Sequence, residues 1–171
     1  STAEEINATI KKMVKFISCG LQETNYPIPQ TMQSYVLTNY HHIVIGNKPI
    51  ETYEKYMKNP ENIVMNSRNF IGPNSITLQL VNIVKNEKEQ LAPNINNNYT
   101  VTDKADGLRK LLLINNDGNI YFITTNMEVQ FTGMKCSNKS CYNTILDGEH
   151  ILYGRANKYI NLYASFDIYF S

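Results

Sequence analysis

The chain has 171 residues, of which 42% are hydrophobic and 18% are charged, and its formal net charge is +1. Such a length suits one ordinary domain, and the hydrophobic fraction excludes a chain that stays intrinsically disordered. The near-neutral charge argues against a basic surface over the whole protein, and the lack of an apolar run of roughly 20 residues predicts no membrane span.

The first predicted element is an amphipathic helix over Ala3–Ser18. Apolar residues recur there every three or four positions from Ile6 to Ile17, which is the period of one helix face. Thr2 is the expected N-cap and Gly20 the expected stop.

A second, weaker helix is predicted over Gln30–Asn39, after the extended breaker Pro27–Pro29. Ile43–Ile45 is predicted to form a short buried strand. Pro49 is then expected to open a short helix that stops before Pro60.

The rest of the chain is rich in strand signals. Residues 62–91 are the least defined part, because the apolar run 78–84 fits either a strand or a helix. An alternating segment, Tyr99–Lys104, follows, and Asn115–Gly118 is typical of a hairpin turn. The predicted strands are Leu108–Ile114, Ile120–Thr124, Met127–Phe131, Thr144–Tyr153 and Tyr159–Phe170.

These elements predict an α+β protein in two parts, a helical connector over residues 1–61 and a strand-rich part over residues 62–171. The chain begins at Ser1 and ends at Ser171 within a strand-like apolar stretch. We expect both ends to be cuts through a larger polypeptide.

The most informative string runs from Thr102 to Arg109. Lys104 ends one predicted strand. Asp106, Gly107 and Arg109 follow at the start of the next strand. The glycine permits a tight reversal with no side chain to obstruct a ligand, and the arginine offers a planar donor fork for phosphate or ribose oxygens. A lysine must be neutral to act as a nucleophile, and nearby cations favour that form, so the string predicts a nucleophilic lysine.

Two further strings follow in the chain. Asp147 and Glu149 lie two positions apart on a predicted strand, so their carboxylates point to the same face, where they can meet a ribose hydroxyl or a magnesium ion. Phe166 and Asp167 lie on the last predicted strand, where an aromatic ring can stack on a purine and a carboxylate can help to hold a metal.

The cysteines and histidines offer weaker candidates. Cys136 and Cys141 match half of a zinc site, but no second pair completes four ligands, so reduced loop thiols of a cytosolic protein are expected. His41 and His42 are adjacent and are expected at a surface or boundary position.

Together, the strings Thr102–Arg109, Thr144–Glu149 and Ala164–Phe170 resemble the covalent nucleotidyltransferase superfamily, which comprises mRNA capping guanylyltransferases and ATP-dependent polynucleotide ligases. Within it, they look most similar to the capping enzymes of large cytoplasmic DNA viruses. The resemblance covers roughly residues 70–171. It implies the antiparallel-sheet first half of a nucleotidyltransferase domain of the ligase type, similar to ATP-grasp folds.

The resemblance also implies what surrounds this part. Residues 1–61 look like the connection from a preceding RNA triphosphatase module. The family's later motifs and its trailing oligonucleotide-binding domain have no counterpart in this sequence, so the 171 residues are expected to be inactive alone. The implied partners are the 5′ end of RNA and the remaining domains of the parent polypeptide, in the cytoplasm of a virus-infected cell or in the virion.

The reaction implied by the resemblance is mRNA 5′-cap formation. Lys104 would attack the α-phosphorus of GTP, hold GMP as a phosphoramidate and pass it to the diphosphate end of RNA. Asp106 and Arg109 would assist as catalytic residues. The implied nucleotide-binding residues are Thr102, Asp103, Arg109, Glu149 and Phe166. The implied ligands for Mg²⁺ or Mn²⁺ are Asp147, Glu149 and Asp167.

Two alternatives stay open at this point. A polynucleotide ligase shares the lysine chemistry but uses ATP or NAD. Ligases resemble one another in having a glutamate directly before the lysine, and Asp103 at that position favours capping. A non-catalytic module that binds RNA or a partner subunit is the alternative from another class.

Overall fold

The computed structural model describes residues 2–73, 76–84, 94–99, 101 and 104–170. The chain forms two compact units, one from the residues up to 71 together with those from 106 onward, and the other from residues 72–105. The larger unit contains every α-helix and every strand of the described residues, so the predicted α+β class is confirmed. The expected division near residue 62 concerns functional modules and stays a prediction.

Three α-helices come first: α1 (Ala3–Leu21), α2 (Gln30–Val44) and α3 (Tyr53–Lys58). Thr2 caps α1 as predicted, because its hydroxyl accepts a hydrogen bond from the N–H of Glu5 and the Glu5 carboxylate accepts one from the N–H of Thr2. Gly20 does not end α1, which continues to Leu21.

The predicted strand Ile43–Ile45 is wrong, because α2 continues through Val44. The inward side chains of α2 recur at the helical period, and Ile43 is the last buried one among them. Thr52, rather than Pro49, precedes α3, and its hydroxyl accepts a hydrogen bond from the N–H of Lys55.

Five strands form one antiparallel sheet in the order β3-β2-β1-β4-β5. The strands are β1 (Leu108–Ile114), β2 (Asn119–Thr124), β3 (Val129–Lys135), β4 (Thr144–Tyr153) and β5 (Tyr159–Phe170). The predicted hairpin at Asn115–Gly118 and the predicted bounds of β4 and β5 are confirmed. The long connection between β3 and β4 allows β4 to pair with β1 rather than with its neighbour in the chain.

The core lies between the sheet and the helices α2 and α3. Tyr35 and Tyr40 of α2 are buried against the sheet residues Leu111, Leu113 and Ile145, which have no exposed surface. On β1 and β4, the face that carries these core residues also carries Arg109 and Glu149, which lie beyond the core. The candidate site therefore rests on the best-packed part of the larger unit.

The first helix differs from the other two because none of its residues is buried. Its apolar stripe is open, with Ile10 54% and Ile17 62% exposed. An apolar cleft of about 720 Å³ lies between α1 and the segment 25–29, with Phe131 also in its lining. None of the helices in the described part of the chain is both long and apolar enough to span a membrane.

The smaller unit contains a short 3₁₀-helix, Leu80–Asn82, within the run that fits either a strand or a helix by sequence. The side-chain amide of Asn94 is buried and donates hydrogen bonds to the carbonyls of Val81 and Val84. These two hydrogen bonds hold Asn94 next to Val81 and Val84.

Candidate active site

The candidate nucleophile precedes the point where the chain enters the sheet. Lys104 belongs to the smaller unit, and its side chain is exposed and donates a hydrogen bond to the carbonyl of Ala105 at 3.4 Å. Asp106 opens the returning part of the larger unit and is exposed. Thr102 and Asp103, the two predicted nucleotide-binding residues before the lysine, lie outside the described residues.

The segment 104–107, called the lysine loop below, contacts β4 through its last residue. The backbone N–H of Gly107 donates a hydrogen bond to the Glu149 carboxylate at 2.9 Å. The sheet register supports the contact, because Arg109 of β1 stands opposite Glu149 of β4. The structure thus brings Gly107 and Arg109 of the first string next to Glu149 of the second string, about forty positions away in the sequence.

The glycines of both strings are required by close packing. A Cβ atom at Gly107 would lie 2.8 Å from the carbonyl oxygen of His150, and one at Gly148 would lie 2.5 Å from that of Ala164. Real Cβ atoms do not come so near to backbone oxygen, so a larger residue would push the neighbouring strand away. The glycines allow the backbone at Gly107, β4 and β5 to lie close together.

Arg109 and Asp147 form the strongest polar contact of the site. The guanidinium donates from Nε to Oδ1 at 3.1 Å and from a terminal nitrogen to Oδ2 at 2.5 Å. The Asp147 side chain has no exposed surface, whereas 26% of the Arg109 side chain is exposed. The neighbouring carboxylate raises the pKa of Arg109, which is already charged at any physiological pH.

Two aromatic residues that the sequence did not single out complete this arrangement. The Tyr169 hydroxyl of β5 donates to Oδ2 of Asp147 at 2.5 Å, and the Arg109 guanidinium lies 5.4 Å from the centre of the Phe70 ring. Burial, together with the adjacent Asp147 carboxylate, raises the pKa of Tyr169 to about 12. No motif spacing indicates either contact. Tyr169 reaches Asp147 because β5 pairs with β4, and Phe70 lies far from Arg109 in the sequence.

The third string lies on the edge strand β5. Phe166 is 56% exposed, and Asp167 is exposed and accepts a hydrogen bond from the N–H of Ile168. The register places Asp167 opposite Asp147. Phe166 thus presents a ring that a base can reach, and its stacking role stays a prediction.

The described carboxylates do not assemble a metal site. Both oxygens of the buried Asp147 accept hydrogen bonds, from Arg109 and Tyr169, and the ligand role expected for this carboxylate from the sequence stays a prediction. Glu149 is engaged with Gly107, and no group of three or more metal-ligating side chains occurs among residues 2–73, 76–84, 94–99, 101 and 104–170. We therefore derive no step that passes through a metal ion.

A separate polar cluster occupies the opposite face of β1. Lys110 is 5% exposed and donates to Oε1 of Gln130 at 2.7 Å and to Nδ1 of His150 at 3.1 Å. Since Nδ1 of His150 accepts, its Nε2 carries the proton and donates to Asn161 at 2.8 Å. Burial lowers the pKa of Lys110, while Glu23 acts in the opposite direction. The sequence did not indicate this cluster.

Comparison with known proteins places the chain in a family. Residues 41–169 match the mRNA capping enzyme catalytic domain. This match covers most of the chain, including the lysine loop and the five strands except for the last residue of β5. The chain belongs to the catalytic domain family of mRNA capping enzymes.

One relative is the "Probable mRNA-capping enzyme" of Acanthamoeba polyphaga mimivirus. It is 31% identical over 102 residues, which are 60% of this chain and 8% of the relative's length. The matched part is therefore a small portion of a much longer polypeptide in that virus. No solved structure matches the chain.

Proposed function

We propose that this chain forms the front part of an RNA guanylyltransferase. The amine of Lys104 attacks the α-phosphorus of GTP, a nitrogen–phosphorus bond forms, and pyrophosphate leaves as the bond to the β-phosphate breaks. The terminal oxygen of a 5′-diphosphate RNA then attacks the same phosphorus. The nitrogen–phosphorus bond breaks, the lysine regains its proton, and the RNA carries a GMP cap.

The hydrogen bond between Gly107 and Glu149 is the observation that carries this proposal. It joins Gly107, which follows Lys104 by three positions in the chain, to the carboxylate that the resemblance assigns to the ribose, and this supports a shared role for the two strings. The match to the capping enzyme family favours GTP and RNA over the substrates of a polynucleotide ligase.

The other residues take roles that suit their surroundings. Arg109 engages the ribose and phosphate region through the exposed part of its guanidinium, where a planar donor fork suits phosphate oxygens. Phe166 stacks on guanine from the exposed edge strand. Asp106 shapes the turn after the lysine. Asp147 holds Arg109.

The surroundings of the site are proposals as well. The mimivirus relative is far longer than its matched part, which supports further domains in a parent polypeptide of this chain. A viral relative also supports action in the cytoplasm of an infected cell or in a virion. We expect residues 1–171 alone to form no cap, because the later motifs of the family have no counterpart in them.

The test is adduct formation by the full-length protein with α-labelled GTP and, separately, α-labelled ATP. We expect label on the protein from GTP, and its complete loss in Lys104→Ala. Lys104→Arg should also fail, since a guanidinium stays protonated and is a poor nucleophile. Lys139→Ala, which removes an exposed lysine from the connection between β3 and β4, is the control and should keep the label.

Each contrary result points to a different alternative. Label from ATP alone would identify a ligase, and label that survives in Lys104→Ala would exclude this lysine as the nucleophile. An intact protein that traps neither nucleotide would favour the non-catalytic binding module.

A further inference from the structure

The contact between Tyr169 and Asp147 ties three strands together at the candidate site. Arg109 comes from β1, Asp147 from β4 and Tyr169 from β5, and the Asp147 carboxylate receives hydrogen bonds from both neighbours. Asp147 has no exposed surface, so water does not compete for its oxygens. The three side chains form one continuous hydrogen-bonded chain that includes a partly exposed guanidinium.

The third hydrogen bond has a geometric consequence. A carboxylate can rotate about the bond that joins it to its side chain, and a guanidinium bound to it in a fork must follow that rotation. The Tyr169 hydroxyl, attached to Oδ2 from another strand, fixes the plane of the carboxylate. It thereby fixes the plane of the Arg109 guanidinium, which also lies near the Phe70 ring.

The tyrosine is suited to this task over a wide pH range. Its pKa is raised to about 12, chiefly by burial and by the adjacent carboxylate, so it remains a donor wherever the enzyme can work. Phenylalanine would retain the ring and its packing against the core but would lose the donor. This single-atom difference makes the role of the hydroxyl testable.

We propose that Tyr169 is a positioning residue that orients Arg109 toward the nucleotide through Asp147. The inference rests on the proposed function for its effect on GTP, while the orientation of Arg109 is measurable in the protein without nucleotide. Tyr169 itself contacts no reacting atom. It acts by keeping a donor fork aligned before the ligand arrives, which lowers the cost of ordering that side chain on binding.

Tyr169→Phe in the full-length protein tests the proposal, with Tyr163→Phe as the matched control. Tyr163 is also a half-buried tyrosine of β5, but its hydroxyl donates to the carbonyls of Lys110 and Leu146 at 2.9 and 3.1 Å. Both variants lose a hydroxyl that donates within the protein. Only Tyr169→Phe removes the contact to Asp147.

For adduct formation, we expect Tyr169→Phe to raise the KM for GTP about tenfold, the size expected when a charge-assisted contact is weakened, with kcat within about twofold of the wild type. Tyr163→Phe should leave KM unchanged. In an Arg109→Lys background, Tyr169→Phe should add no further rise, because the fork it orients is gone. A normal KM in Tyr169→Phe, or equal effects of the two tyrosine variants, would overturn the proposal.

The second readout needs no activity. The exchange rate of the Arg109 Nε–H with solvent, followed by NMR of ¹⁵N-arginine-labelled protein, should rise at least tenfold in Tyr169→Phe and stay unchanged in Tyr163→Phe. If the wild type forms no adduct, the proposed function fails, and this exchange rate still decides whether Tyr169 holds Arg109. An exchange rate that Tyr169→Phe does not alter would exclude the positioning role.

Discussion

The Glu149 carboxylate accepts a hydrogen bond from the backbone N–H of Gly107, although 42 positions separate the two residues. The carboxylate that the proposed function assigns to the ribose thus also secures the end of the lysine loop. A displacement of β4 at this point would move both the loop end and the sugar contact. Two predictions follow from the dual role of this contact, one for each partner.

Gly107→Ala should destabilise the larger unit by about 1–3 kcal/mol, because its Cβ would lie 2.8 Å from the carbonyl oxygen of His150 and 2.9 Å from Cγ1 of Ile151. Urea unfolding measures the loss. Gly20→Ala is the matched control, since Gly20 lies within α1 with open space around it and alanine is the better helix former by about 0.5–1 kcal/mol. Equal effects of the two substitutions would exclude close packing as the reason for Gly107.

Glu149→Gln separates the two roles of this side chain. The amide oxygen can still accept from Gly107, so the free energy of unfolding should change by less than about 0.5 kcal/mol, whereas Glu149→Ala should lose about 1 kcal/mol. Both should raise the KM for GTP about tenfold, because a neutral acceptor binds a ribose hydroxyl more weakly than a carboxylate. A Glu149→Gln variant with unchanged KM would leave Glu149 with the structural role alone.

The local elements could be predicted where their signals are short-range. The turn Asn115–Gly118 and the alternation on either side define a hairpin, and two-residue spacing places Asp147 and Glu149 on one face. The turn and the shared face each follow from the backbone geometry of one short segment. The pairing of β1 with β4, which brings both toward Arg109, was not predicted.

Contacts made through tertiary packing could not be predicted in the same way. Tyr169 meets Asp147 only because β5 pairs with β4, and the string Ala164–Phe170 does not by itself indicate that contact. A short apolar run such as Ile43–Ile45 carries no period of its own and therefore predicts a strand, whereas Ile43 lies on the buried face of the longer helix α2. In α1 the period correctly indicated a helix but not whether its apolar stripe is covered.

The exposure of α1 leads to a prediction about where the stability resides. Leu113→Ala, at a position with no exposed surface, should lower the free energy of unfolding by about 2–5 kcal/mol. Ile10→Ala, at a position 54% exposed on α1, should lower it by less than about 0.5 kcal/mol. A large cost for Ile10→Ala in the full-length protein would mean that another surface covers α1 there.

The cluster around His150 predicts a pH dependence of stability. Burial lowers the pKa of His150, Lys110 lowers it further by like-charge repulsion, and the hydrogen bond with Asn161 acts in the opposite direction. Glu23 is the carboxylate that acts on the same cluster through Lys110. The folded protein therefore holds His150 neutral at pH values where the unfolded chain, with an ordinary histidine pKa of about 6.5, binds a proton.

Because the unfolded state binds more protons in that window, the free energy of unfolding should fall as the pH decreases from 7.5 to 5.5. His150→Gln should weaken this dependence, since its amide oxygen can still accept from Lys110 but does not titrate. Urea unfolding of both proteins at several pH values within this range measures the difference and stays above the titration of most carboxylates. Parallel pH profiles for the wild type and the variant would show that His150 keeps its ordinary proton affinity in the folded protein.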